Sequence, residues 1–251
     1  MRHFLKLSYS GAPFHGWQTQ PNASSVQQTL EEALSVILRD EVAVTGAGRT
    51  DTGVHARVMY THFDHDGPLP DRTRFLNGLN RLCGPHIAVS DVIDVHDDAH
   101  ARFDATSRTY RYFVALEKSP FLAGCSWHSP SALDVAAMNK AASLLLTTED
   151  FTSFAKLHSD AKTNICRVTR AEWSDWENDY GVPGIMFTIT ADRFLRNMVR
   201  AVVGTLVDVG RGKLTVADFR DIIEKKDRCS AGTSMPPQAL FLWDITYPYI
   251  N

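Results

Sequence analysis

The side chains able to do chemistry gather most densely in one stretch, Gly46-Ala47-Gly48-Arg49-Thr50-Asp51-Thr52-Gly53-Val54-His55-Ala56. A guanidinium, a carboxylate and an imidazole stand close together among glycines, which permit tight or left-handed backbone. Three readings compete for such a loop. As a plain turn, it would pair Arg49 with Asp51 at the surface. As a phosphate cradle it fits poorly. The spacing G-x-G-x-x-x-x-G misses the dinucleotide fingerprint, and no G-K-[ST] follows. As a catalytic loop, it would use Arg49 to hold the Asp51 carboxylate ionised, the state a nucleophile or base requires.

Two further stretches carry charge in a pattern. In residues 101–114, strand alternation puts Arg108, Tyr110 and Tyr112 on one face and Thr109, Arg111 and Phe113 on the other. Alternating arginine and tyrosine suits an electrostatic and stacking surface. The plain alternative is an antiparallel strand with one polar face. Residues 192–209 read as the longest amphipathic helix. Phe194, Leu195, Met198, Val199, Val202, Leu206 and Val209 form its apolar face, and Arg193, Arg196 and Arg200 lie opposite with Asn197. Three like charges in two turns gain nothing from one another and favour an anionic partner over a solvated face. His62, Asp64, His65 and Asp66 are metal-ligand types, but they sit in a Pro/Gly loop without an H-x-x-x-H helix. A solvated loop is the expectation there, and no metal.

The elements that must position these groups follow from periodicity. Residues 4–9 read as a strand. Ser25 opens a capping box with Gln28 before a helix over Val26–Leu38, whose Val26, Leu30, Ala33, Leu34 and Ile37 share a face. Strands over 41–45 and 56–63 flank the glycine loop. Asp71 caps a helix carrying Phe75, Leu76, Leu79 and Leu82, and residues 86–96 form a strand. The second half begins with the arginine–tyrosine strand. A helix over 134–146 follows, then strands over 166–176 and 184–190, the 192–209 helix and a helix capped by Thr215. A loop over 228–237 and a closing strand over 239–246 end it. This order implies two α+β units joined near residues 104–107, an N-terminal half over 1–105 and a C-terminal half over 106–251.

Composition bounds the rest. The chain has 251 residues, 44% hydrophobic and 22% charged, an ordinary globular profile. No apolar run reaches a membrane span, and the first residues lack the pattern of a signal peptide. Cys83, Cys125, Cys166 and Cys229 form no C-x-x-C pair, so neither a zinc site nor a disulfide framework is indicated, and a cytoplasmic setting is expected. The net charge of −3 argues against a general polyanion binder, while the basic clusters at 102–111 and 193–213 leave room for local nucleic-acid contacts.

Gly48-Arg-Thr-Asp-Thr-Gly-Val-His-Ala56 closely resembles the active-site motif of the tRNA pseudouridine synthase A (TruA) family. The resemblance continues in family order along nearly the whole chain. Residues 4–17 resemble its opening strand and Tyr/Gly/Trp loop, and residues 102–112 its arginine–tyrosine strand. Asp150-Phe-Thr-Ser-Phe154 is similar to a family signature. Residues 194–210 resemble its buried helix, and residues 239–244 its closing strand. The resemblance implies an α+β fold of two similar halves, whose mixed, largely antiparallel sheets meet at a central RNA-binding cleft. It implies isomerisation of uridine to pseudouridine at positions 38–40 of the tRNA anticodon stem-loop. It also implies that the enzyme needs no cofactor and works as a homodimer on tRNA.

Position by position, the resemblance makes Asp51 the catalytic aspartate and Arg49 its ion-pair partner at the substrate. It makes Tyr110 the tyrosine that stacks on the target base, Arg200 the second active-site arginine, and Leu240 a leucine near the base. Arg193, Arg196 and Arg108 are further candidates for RNA contacts. The chain departs from the pattern at Thr52, where alanine is usual, and at Ala239, where glycine is usual.

These residue types suit the reaction. It breaks the N1–C1′ bond, turns the uracil and rejoins it through C5. The carboxylate has three possible parts: attack at C1′, addition to the uracil ring, or removal of a sugar proton. The target must leave the base stack, and an aromatic face then holds it. Two rivals remain on the sequence. A non-catalytic tRNA- or RNA-binding protein would keep the basic and aromatic surface without the chemistry. A nucleotide-dependent enzyme is disfavoured by the loop spacing.

Overall fold

The computed structural model describes residues 1–157 and 162–250. It is an α+β structure whose strand pairings are mostly antiparallel. Contacts divide the chain into two compact units. One comprises Met1–Thr106 with Leu242–Asn251, and the other comprises Ser107–Phe241. The closing segment, which the sequence reading assigned to the second half, groups with the first unit.

In the first unit, β1 (Arg2–Tyr9) lies between β3 (His55–Asp64) and β4 (Ile87–Val95), antiparallel to both. Strand β3 buries nearly every residue, from His55 to Phe63 except Arg57, so both of its faces are covered. The expected strand over 41–45 shrinks to β2 (Thr45–Gly46), paired with His62 and Thr61 of β3. Helix α1 (Val26–Leu38) starts at Ser25, whose hydroxyl accepts from Gln28 N at 3.2 Å. The Gln28 side chain turns instead to Glu32 at 2.9 Å, so only half of the expected capping box forms. Helix α2 (Arg72–Leu82) is capped by Asp71 and buries Phe75 and Leu79.

The second unit repeats the three-strand pattern. Here β8 (Gly184–Ala191) lies between β5 (Ser107–Ala115) and β7 (Val168–Asp175), antiparallel to both, and β6 (Trp127–His128) adds a short parallel pairing to β5. Helix α3 (Val135–Ser143) turns inward Met138, Ala141 and Ala142, as their spacing predicts, and tightens into a short 3-10 turn over Leu144–Thr147. Helix α5 (Val216–Lys225) begins with a complete capping box: Thr215 Oγ1 accepts from Asp218 N, and Asp218 Oδ2 accepts from Thr215 N. Strand β9 (Leu240–Thr246) closes the chain order.

The largest departure from the sequence reading is at residues 192–209. The helix there, α4 (Met198–Gly210), starts only at residue 198, behind Asn197 in the left-handed region at φ 66. Residues 192–197 are held differently. The Asp192 carboxylate accepts from Arg167 N at 2.8 Å and Arg193 N at 2.7 Å, and a side-chain oxygen that caps main-chain donors competes with helix. Arg193, Arg196 and Arg200 therefore do not share a helical face. Helix α4 itself is not amphipathic but buried on almost every side, from Met198 and Val199 through Leu206 to Gly210.

Candidate active site

The glycine loop is built from its backbone outward. Ala47 N donates to Tyr60 O at 2.8 Å, and Trp17 N to Thr50 O at 3.2 Å. The buried Thr50 hydroxyl bonds Tyr9 Oη at 2.9 Å. Beyond it, Val54 N donates to Asp51 O at 3.1 Å, with Gly53 at φ 78, closing a turn that needs a left-handed third residue. The Trp17 ring is why residue 46 has no side chain: a Cβ there would stand 2.5 Å from it. Gly48 has neither a positive φ nor a close neighbour, so its glycine has no such reason.

This frame leaves Asp51 half-buried as the first residue of a fixed turn, with Thr52 exposed beside it. The threonine found in place of alanine therefore does not crowd the loop. Arg49 is exposed, and among the described residues no ion pair joins it to Asp51. His55 serves the scaffold: it is buried, and its Nδ1 accepts from Gly11 N at 3.1 Å. Sequence reasoning gave this imidazole no assigned role, since its partner lies 44 residues earlier.

His62 also serves the scaffold. Its ring is buried, and Nδ1 accepts from Ala101 N at 3.1 Å. Burial, helped by Arg2 and His100 and opposed by Asp64 and Asp104, pulls its pKa from 6.5 down to about 4. Asp64 belongs to Arg2, through two hydrogen bonds of 2.8 Å that hold its carboxyl below the usual range.

In the second unit, Tyr110 and Arg108 lie on β5 opposite Ile189 and Ala191. Tyr110 is half-buried, and the Phe194 ring meets its ring edge-on at 5.0 Å. Arg108 Nη1 donates to Asp192 O at 2.8 Å. Tyr112, placed on the same face by alternation, is not part of an exposed stacking surface. It is fully buried, and its hydroxyl donates to Pro236 O at 3.1 Å. Burial pushes its phenol well up, and the nearby Arg200 charge offsets part of that. The β5 face thus runs from half-open at Arg108 into the core at Tyr112.

Arg200 stands in the first turn of α4, half-buried, with Nε donating to Met235 O at 2.6 Å. Leu240 is buried at the start of β9, just after Ala239, which is wholly buried in a short helical turn over Pro237–Ala239. Arg193 Nη1 reaches Thr163 O at 3.3 Å, and Arg196 is exposed. The signature Asp150-Phe-Thr-Ser-Phe154 is largely a packing device. Phe151 and Phe154 are fully buried, Ser153 Oγ donates to Ile222 O at 2.6 Å, and Asp150 accepts from Thr152 and pairs with Lys226 at 3.0 Å.

Comparison with known proteins agrees with this arrangement. A family profile described as tRNA pseudouridine synthase matches residues 141–248. The chain is 54% identical over 247 residues to tRNA pseudouridine synthase A of Parabacteroides distasonis, covering 98% of this chain and 96% of that one. It is 55% identical to the protein of that name from Bacteroides thetaiotaomicron, covering 98% and 91% of the two chains. To that of Bacillus subtilis it is 38% identical over 251 residues, covering 98% and 99%. On relatedness that spans both units and nearly the full length of each relative, the chain belongs to the tRNA pseudouridine synthase A family.

Proposed function

We propose that this chain isomerises uridine to pseudouridine in tRNA, at positions 38–40 of the anticodon stem-loop, with Asp51 as nucleophile. The observation that carries the reading is the loop itself. A half-buried carboxylate heads a turn whose flanking backbone is fixed to β3, Phe14 and Trp17, so a rigid scaffold holds it at a set position on a loop. The family relationship supplies the reaction class and tRNA as substrate.

In the proposed step the Asp51 carboxylate attacks C1′, and the N1–C1′ bond breaks with its electron pair on the uracil. The detached ring turns, C5 attacks C1′, and the carboxylate leaves. Loss of the C5 proton and gain of one at N1 restore the ring. Atoms and electrons balance without an oxidant, a metal or a cofactor. Tyr110 stacks on the extruded uracil, a contact worth roughly 1–3 kcal/mol. Leu240 packs near the base. The outer guanidinium edges of Arg49 and Arg200 meet the substrate, where a bidentate fork suits a phosphate or carboxylate. Arg108, Arg193 and Arg196 contribute to RNA affinity, and the enzyme acts as a homodimer, which light scattering tests.

The reading is tested by tritium release from C5-labelled uridine in an unmodified tRNA transcript, with wild type and Asp51→Ala side by side. Release by wild type alone is expected. Wild-type-like release by Asp51→Ala would reject the nucleophile. Tight tRNA binding with no release by either would favour a binding protein instead.

A further inference from the structure

Residues 231–236 run as a strap along α4, and the strap grips Arg200 through its own backbone. Met235 O accepts from Arg200 Nε at 2.6 Å, and Met235 N donates back to Arg200 O at 3.1 Å. Four residues on along α4 and two back along the strap, the two backbones come closer still. A Cβ on Gly204 would stand 1.9 Å from Thr233 O, and Gly232 N donates to Thr205 Oγ1 at 2.9 Å. At its far end, Pro236 O accepts from the buried Tyr112 hydroxyl.

A cluster of side chains also clasps the strap. Ser234 Oγ accepts from Asn197 Nδ2 at 2.6 Å and from Arg228 Nη2 at 2.9 Å. Arg228 Nη1 also donates to Gly232 O at 3.2 Å. The hydroxyl thus accepts two donors, one from the residue just before α4 and one from the loop before the strap. Met235 is the only residue of the strap whose side chain is buried. Polar bonds, rather than apolar packing, therefore fix its course.

We infer that Ser234 and Arg228 are positioning residues for Arg200. The clasp sets the strap, the strap sets Nε, and a fixed Nε fixes the plane of the guanidinium and the direction of its outer edge. A long arginine side chain has many rotamers, and a bond at Nε narrows that choice. A displacement of about 1 Å in a substrate-positioning group costs up to about a hundredfold in rate. This inference rests on the reading of Arg200 as a substrate-binding arginine.

The test uses Ser234→Ala, Ser234→Thr and Arg228→Gln in the full chain, with three readouts: single-turnover tritium release, tRNA affinity, and the Nε–H resonance of Arg200. Ser234→Ala should slow release about tenfold, leave tRNA affinity within about twofold, and shift the Arg200 resonance. Ser234→Thr keeps the hydroxyl and should restore all three. Arg228→Gln should lie between them. Wild-type release and an unmoved resonance in Ser234→Ala would overturn the inference. If wild type releases no tritium, the functional reading fails, and the Arg200 resonance still decides whether the clasp orients the guanidinium.

Discussion

Asp51 and Arg49 stand two residues apart in sequence and differ in setting. The carboxylate heads a fixed turn, while the guanidinium stands exposed beside it. Arg49→Lys should therefore cost activity mainly at the substrate, through loss of the planar fork. Steady-state kinetics should show KM for tRNA rising, with the thermal midpoint unchanged. Tyr110→Phe keeps the aromatic face and removes the hydroxyl, whereas Tyr110→Ala removes both. If stacking is the role, Phe retains wild-type turnover and Ala loses the roughly 1–3 kcal/mol that a stacked base is worth. His62 makes a different kind of prediction. Its folded pKa lies near 4, below the ordinary 6.5, so the unfolded chain binds the extra proton first as pH falls. Its contribution to stability is present above pH 6.5, is lost between 6.5 and 4, and changes no further below that. The slope is at most about 1.4 kcal/mol per pH unit. His62→Asn, which keeps an acceptor for Ala101 N, should flatten that part of the urea-midpoint-against-pH curve.

The same device recurs on an outer strand of each unit. Asn80 of α2 donates to Val89 O at 2.8 Å and accepts from Val89 N at 2.7 Å, closing a gap on β4. Asn139 of α3 does the same for Trp173 on β7, at 3.0 and 2.7 Å. A primary amide matches a peptide group, so a helix satisfies main-chain groups that an outer strand would otherwise leave open. Asn139→Leu should strand both groups of Trp173 and cost about 1–3 kcal/mol, read as a lower urea midpoint. None of this is visible in a periodicity pattern, because both asparagines look like polar residues on the outer face of a helix. Residues 192–197 fail for a related reason. Their apolar spacing fits a helix, but the Asp192 cap and the left-handed Asn197 hold the chain outside one. The strap at 231–236 reads as plain loop because its bonds are mostly those of the backbone.

At the scale of the molecule, a net charge of −3 means that an RNA substrate must be gripped locally. Affinity for tRNA should fall steeply with salt, by about 0.7–0.9 in log K per log salt for each phosphate neutralised. Arg196→Gln should reduce that slope by about one contact while leaving single-turnover release at saturating enzyme nearly unchanged. A slope equal to wild type would remove Arg196 from the RNA surface. No helix among the described residues is long and apolar enough to cross a membrane.

By itself, the sequence determined the α+β class, most strands and helices, and the loop that carries Asp51. Those features are written in short-range terms: period two, period 3.6, caps at Ser25, Asp71 and Thr215, and a glycine-bent motif. Family membership was legible for the same reason, since motif order is a property of the chain. Only the tertiary structure decided which of those groups serve the fold. It sent Tyr112 into the core while leaving Tyr110 half-buried two residues away, and it gave His55 and His62 to distant backbone donors. It returned the last segment to the first unit and tied Arg200 to a loop 35 residues downstream. The physical reason is common to all of these. Burial and hydrogen-bond satisfaction depend on which segments meet, and partners tens of residues apart leave no mark on local pattern.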